Sequence, residues 1–314
     1  MKTVSYDRYG DRDVMRMTDA EVPSPKSGEL RVKVHAASVN PVDGKVRRGE
    51  LKLIAGGHFP KRPGLDFAGV VDALGDGVSS FKLGDRVYGS AKSMSEGAMS
   101  ELAVVNASAI AKSPAKLDDV TAAAVPVVAI AALQTLRDTA KVKKGDRVLV
   151  NGCTGGVGIF ALQLAKRFGA QVTGVCGTDG VSLARELGAD DLIDYRKEPL
   201  AARSERYHVI LELSGKLPFD QAHALLDEHG IYVDFSPSPA SLIGNTIANP
   251  FRSHKHVFAM TAGKTTDLEA LAKMLDDGEL RPPPVRELPF DRFSEAFELA
   301  ERGGIIGKVV VRVA

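Results

Sequence analysis

The sequence predicts an α/β chain of two domains, one a compact β domain of barrel type and the other a doubly wound parallel sheet. Three observations carry this reading. Residues 1–117 read as short β-rich segments between turns, residues 118–256 alternate apolar strands with helical stretches, and a glycine turn joins strand to helix within residues 147–168. The chain has 314 residues, about twice a typical domain, which agrees with two domains. It is 44% hydrophobic and 26% charged with net charge +1, which excludes disordered, collagenous and coiled-coil classes. The balanced charge leaves no basic footprint, so no nucleic-acid partner is expected. No apolar run approaches the ~20 residues that cross a bilayer, so no membrane partner is expected. Residues 1–17 hold no apolar signal core, which makes the expected location cytoplasmic. Two cysteines, Cys153 and Cys176, exclude a disulfide framework, and 31 glycines with no tryptophan point to many tight turns.

The elements follow in order. Residues 30–36 (LRVKVHA) alternate at period two, and 68–73, 85–88 and 101–105 are β-rich and bounded by Gly, Ser or Asp. Strands are then expected at 147–150, 171–176, 209–213 and 231–235, with helices at 157–168, 181–187 and 219–226. The tail from residue 257 carries helical patterns at 268–275 and 293–300 and a final strand at 308–313. The expected stretches are therefore 1–117, 118–256 and 257–314.

The stretch 147–168 (RVLVNGCTGGVGIFALQLAKRF) carries the most chemistry. A strand ends at Asn151, glycines turn the chain, and an amphipathic helix begins. Backbone N–H groups at such a helix start attract a pyrophosphate. The G-x-G-x-x-G template falls on Cys153, Gly155 and Gly158, with cysteine in the first glycine position. The next strand ends at Val175-Cys176-Gly177-Thr178-Asp179 without an acid at its tip, which favours NADP(H) over NAD. Thr178 is a donor for the 2′-phosphate and Arg185, two helical turns on, a second. Asp179 opposes this, and also reads as an ordinary first-turn helix residue. The triplet Gly263-Lys264-Thr265 lacks the earlier glycine of a nucleotide P-loop, since Phe258 stands there.

The chain resembles the medium-chain dehydrogenase/reductase superfamily, in its zinc-free quinone oxidoreductase branch. Residues 37–43 (ASVNPVD), 62–71 (RPGLDFAGVV), 84–89 (GDRVYG), 144–150 (KGDRVLV), 187–190 (LGAD), 193–195 (IDY) and 307–310 (GKVV) carry the likeness by their order and spacing. The resemblance implies a GroES-like β-barrel catalytic domain with a Rossmann domain inserted into it. Zinc-dependent relatives place a cysteine at Asn40 and a histidine at Leu65, and hold a structural zinc with cysteines near residues 90–97. This chain has none of these, so no metal is expected. The pair His254 and His256 lacks a third ligand and reads as a polar loop before a strand. Without a Lewis acid, hydride transfer to a quinone or α,β-unsaturated carbonyl is the expected reaction, since the charge delocalises onto oxygen.

The resemblance assigns roles residue by residue. Asn40 would lie under the nicotinamide, with Asp43 one step away. Lys45 falls where related enoyl reductases carry a proton-donating tyrosine. Thr154, Gly155, Gly156, Val157 and Gly158 would cradle the pyrophosphate, and Tyr195 would border the adenosine. Leu213, Ser214, Phe235 and Ser236 end later strands on the binding edge, and Lys308 joins the cofactor set. Ala131 stands where relatives often carry threonine. Loops 49–60 and 245–252 would shape the acceptor pocket. A homodimer is expected, with 249–258 as its contact segment. Two other readings stand beside the first: an enoyl-thioester reductase using Arg47, Arg48, Lys61 and Arg62 for a phosphate, and a non-catalytic NADPH-binding sensor.

Overall fold

The computed structural model describes residues 1–236, 249 and 253–314. Contacts divide the chain into two units, Met1–Val127 with Gly263–Ala314, and Val128–Ala262. The chain leaves the first unit at residue 127 rather than 117 because helix α3 (Asp119–Ala123) packs on strands of that unit.

The first unit is built on β3 (Glu29–Val39), whose alternating apolar residues Leu30, Val32 and Val34 are fully buried. Ahead of it, β1 (Lys2–Ser5) and β2 (Arg16–Asp19) form an antiparallel pair. Next come α1 (Pro41–Arg47), α2 (Lys52–Ala55), β4 (Asp66–Leu74), β5 (Arg86–Ser90), β6 (Leu102–Asn106) and β7 (Ile110–Lys112). Strand β4 pairs antiparallel with β3 and shifts register twice, which bends the sheet as a barrel requires. Gly69 sits where the strands press closest, since a Cβ there would lie 2.1 Å from Lys33 O.

The second unit begins as α4 (Pro126–Gln134) passes into a π-helical turn at Thr135–Thr139. It continues through β8 (Arg147–Asn151), α5 (Gly156–Arg167), β9 (Gln171–Cys176), α6 (Val181–Glu186), β10 (Asp191–Asp194), β11 (Tyr207–Glu212), α7 (Phe219–Ala222), β12 (Leu226–Asp234) and β13 (Lys255–Phe258). All six strands are parallel in the order β10-β9-β8-β11-β12-β13. Numbered from β8 this is 3-2-1-4-5-6, the Rossmann order, with its switch point between β8 and β11. The strands are apolar on both faces because helices cover both faces of such a sheet. His256 lies inside β13, not in a loop before it, stacked on Phe219 at 4.8 Å with Nε2 3.4 Å from Asp234.

The chain then returns to the first unit as α8 (Thr265–Asp276), β14 (Val285–Pro289), α9 (Phe293–Arg302) and β15 (Lys308–Arg312). Strand β15 pairs antiparallel with residues 36–39 of β3 and completes the sheet order β14-β15-β3-β4-β5-β7. Helix α9 buries Ala296, Phe297 and Leu299 in the barrel core beside Phe67 and Val309. Tyr88 donates its hydroxyl to Leu268 O at 2.6 Å, fixing α8 to β5. Among the described residues, no helix is long and apolar enough to cross a membrane.

Candidate functional site

The glycine loop begins at the carboxyl end of β8. Gly152 takes φ +90°, so the left-handed turn falls one residue before Cys153, the position the template assigned to it. The N–H groups of Gly152 and Cys153 both donate to Val175 O, at 3.0 and 3.1 Å, and hold the turn against β9. Gly155 then starts α5 without a side-chain cap, so the donors of the first helical turn keep no side-chain acceptor. The glycines differ in purpose. A Cβ on Gly158 would lie 2.3 Å from Gly152 O and 2.6 Å from Cys153 Cα, so this glycine lets helix and loop touch. A Cβ on Gly155 would meet only Gly152 O, at 3.5 Å. Thr154 is buried, and its side chain packs on the backbone of Gly180 beyond β9. Gly156 and Val157 complete the turn on the half-exposed side.

Cys153 and Cys176 are both buried free thiols. The hydrogen bond with Cys176, and after it burial, push the Cys153 thiol well above its ordinary value.

The tip of β9 holds a second group. Thr178 Oγ1 donates to Asp194 Oδ2 at 2.6 Å, so its hydroxyl proton is already used. That hydrogen bond, first among the causes, holds Asp194 below the usual carboxylate range. Arg196 Nη1 donates to Asp179 Oδ2 at 3.0 Å, and Lys197 lies 3.5 Å from Asp194. Asp179 lies in the first turn of the 3₁₀ helix Thr178–Gly180, which runs directly into α6. Tyr195 is exposed, and its hydroxyl would lie 3.1 Å from a Cβ on Gly177. Arg185 is exposed on α6 and has no hydrogen bond in this group. Sequence reasoning passed over Arg196 and noted Asp194 only as part of the motif 193–195, although both flank Tyr195.

At the carboxyl ends of β11 and β12, Leu213, Ser214, Phe235 and Ser236 come together. Ser214 Oγ donates to Glu212 Oε1 at 2.6 Å, and Asn151 Nδ2 donates to Glu212 Oε2 at 2.5 Å. Leu213 N donates to Asn151 O, Phe235 N to Glu212 O, and Ser236 N to Asp234 Oδ1. A hollow of about 340 Å³ opens there, lined by Leu217, Tyr232, Asp234 and Ser236 beside Glu212. Of the expected pocket loop 245–252 only Asn249 is described; its side chain pairs with the backbone of His256. In the expected contact segment 249–258, residues 250–252 lie outside the described residues.

The first unit gathers the remaining predicted residues around one buried carboxylate. Asp66 is fully buried and accepts from Ser38 Oγ at 2.9 Å, Asn40 Nδ2 at 2.8 Å and Val127 N at 2.7 Å. Lys308 Nζ donates to Asn40 Oδ1 at 2.6 Å and Val39 O at 3.2 Å, and stands 3.5 Å from Asp66. Both ends of the Asn40 amide are thus engaged inside the chain. Asp43 caps α1 by accepting from Asn40 N at 2.8 Å, and it also takes Gly64 N at 3.1 Å. Burial pushes Asp43 up to about 6 against the pull of those two N–H groups. Burial likewise lowers Lys308, opposed by Asp66 and Asp43. Lys45 projects from the same helix half-buried, with no side-chain hydrogen bond or ion pair among the described residues. Ser38 and Asp66 were noted only as parts of the motifs 37–43 and 62–71, without a role.

The two folds and these sites define a two-unit dinucleotide-type oxidoreductase. Residues 26–115 match the model of the alcohol dehydrogenase GroES-like domain, and residues 187–311 match the zinc-binding dehydrogenase model. The chain is 30% identical to the chloroplast envelope quinone oxidoreductase homolog of Arabidopsis thaliana, over 99% of this chain and 98% of that protein. It is 32% identical to the human mitochondrial NAD(P)H oxidoreductase RTN4IP1, over 98% and 88% respectively. The solved quinone oxidoreductase of Coxiella burnetii superposes with a TM-score of 0.89 at 29% identity, over 100% of this chain and 99% of that one. The chain belongs to the medium-chain dehydrogenase/reductase superfamily, among its quinone oxidoreductases.

Proposed function

We propose that the protein is an NADPH-dependent reductase that transfers hydride, without zinc, to quinones or α,β-unsaturated carbonyls. The observation that carries this is the uncapped start of α5 beside the open face of Gly155, a cradle shaped for a pyrophosphate. The names of the relatives, quinone and NAD(P)H oxidoreductases, support the same chemistry.

NADPH when bound supplies the hydride. Thr154, Gly155, Gly156, Val157 and Gly158 hold its pyrophosphate through backbone N–H groups, and Tyr195 borders the adenosine. Leu213, Ser214, Phe235 and Ser236 line the binding edge. Asn40 acts by shape: its amide oxygen accepts from Lys308 and one of its two N–H groups donates to Asp66, which fixes the side chain at the start of α1. Asp43 and Lys308 keep that arrangement, and Lys45 is the side chain of α1 left to deliver a proton.

The donor set around Asn40 does not fit zinc. Asp43 and Asp66 are taken up by N–H and O–H donors, the Lys308 ammonium stands 3.5 Å from Asp66, and Leu65 offers no ligand atom. A homodimer is part of the proposal, checked by light scattering of the purified chain.

The test is NADPH oxidation followed at 340 nm with 9,10-phenanthrenequinone, a simple enone and the coenzyme A thioester of an enoic acid. Turnover of the quinone or enone is expected, unchanged by a chelator. Failure of both acceptors, alongside chelator-sensitive alcohol oxidation, overturns the reading. Preference for the thioester moves it to the enoyl-thioester reductases, and tight NADPH binding with no acceptor moves it to the sensors.

A further inference from the structure

We propose that Arg196 is the residue that recognises the 2′-phosphate of NADPH, and that Asp179, its ion-pair partner in the free chain, competes for it and so tunes the choice of dinucleotide. This rests on the dinucleotide reading above. In parallel-sheet dinucleotide sites the chain just beyond the second strand meets the adenosine ribose; a carboxylate there takes a 2′-hydroxyl, and an arginine takes a 2′-phosphate. This chain puts the carboxylate of Asp179 on that turn and brings the guanidinium of Arg196, from just beyond β10, against it. A Cβ on Gly177 would lie 3.3 Å from Arg196 Nε and 3.1 Å from Tyr195 Oη, so both side chains lie against the turn that follows β9.

The other groups nearby are spoken for. Thr178 gives its proton to Asp194, and Lys197 faces the same carboxylate at 3.5 Å. Arg185 has no part in the group. Among the described residues, Arg196 is therefore the cation against this turn whose acid partner is exposed and can release it. Its side chain is 53% exposed and that of Asp179 72% exposed. An ion pair so wet contributes little to folding and opens readily. A phosphate dianion carries more charge than a carboxylate and can take the guanidinium through two oxygens, against the single Oδ2 contact that Asp179 makes. Asp179 then remains beside the bound phosphate as a like charge, and it can also accept from the ribose hydroxyl of NADH. The two residues thus act in opposite directions on the same choice.

The experiment is titration calorimetry of the full chain with NADPH, NADH, 2′,5′-ADP and 5′-AMP. Wild type, Arg196→Gln, Arg196→Lys and Asp179→Asn are compared at low and moderate salt. Arg196→Gln is expected to weaken NADPH and 2′,5′-ADP by about tenfold or more while NADH and 5′-AMP stay within about threefold. Arg196→Lys recovers part of the loss, and Asp179→Asn tightens NADPH by a few-fold, an effect that shrinks with salt. Both positions are exposed, and thermal melts matching wild type show that the variants fold. If Arg196→Gln discriminates NADPH from NADH as wild type does, the proposal is overturned and the dinucleotide reading stands. The same holds if wild type binds both dinucleotides equally. If wild type binds neither, the dinucleotide reading falls and takes the proposal with it.

Discussion

Replacing Lys308 by methionine tests whether the barrel is held together by one buried ammonium. The substitution keeps the chain length and apolar stem but removes the charge. Asn40 Oδ1 and Val39 O lose their donor, and fully buried Asp66 loses the cation 3.5 Å away. Breaking one side of a buried pair costs about 3–5 kcal/mol. At a urea slope of about 3 kcal/mol per M for a chain of this size, the midpoint should fall by about 1 M. The loss should also depend on pH. Folding raises Asp43 from 3.8 to about 6, so the native state binds more protons than the unfolded chain and ionisation of Asp43 opposes folding. That cost enters as pH rises from about 4 and is complete above about 6 in wild type. Lys308 attracts the Asp43 charge, so without it Asp43 rises further and the cost grows at higher pH. The variant should therefore trail wild type by more at pH 8 than at pH 5, in urea unfolding followed by circular dichroism. A midpoint change under about 0.3 M, or an equal deficit at both pH values, refutes the reasoning.

The two loop glycines should separate folding from binding. Gly158→Ala forces a methyl to within 2.3 Å of backbone and should cost about 1–3 kcal/mol of stability in thermal or urea unfolding. Gly155→Ala meets nothing closer than 3.5 Å, so it should fold as wild type but weaken NADPH binding by about tenfold or more, read by calorimetry. Tyr88→Phe deletes one buried hydrogen bond to Leu268 O and should lower stability by about 1–2 kcal/mol, with NADPH binding unchanged. Cys153 and Cys176, both nearly inaccessible, should resist a thiol reagent in the native chain and react fully in denaturant.

The parts of the fold that were legible in the sequence are those with a local period. Strands β3, β4, β8 and β9 and helices α5, α8 and α9 sit within a few residues of their expected bounds. Helix α4 (PVVAIAALQ) was not, because it is apolar all round and shows no amphipathic face. Short strands such as β7 and β14 carry too few residues for a period. Strand β12 starts at Leu226, ahead of the expected 231, because pairing with Tyr207 draws a polar run into the sheet past a register shift. The site divides in the same way. The glycine loop is one contiguous strand–turn–helix and could be read directly. The Arg196–Asp179 pair spans 17 residues and the Lys308–Asn40 bond 268, contacts that only the folded chain brings about. The Thr178 hydroxyl meets Asp194 across 16 residues, an acceptor that no local pattern announces.

The interrupted path of the barrel imposes an order on synthesis. Residues 128–262 form their own unit and leave the ribosome as one continuous piece, while the barrel waits for residues 308–312. Until then the flank of β3 at residues 36–39 is an open strand edge, and Asp66 lacks its cation. An open edge is a template for foreign strands. A nascent chain stalled in α9 therefore presents that edge to foreign strands, and β15 both closes the edge and brings the cation to Asp66.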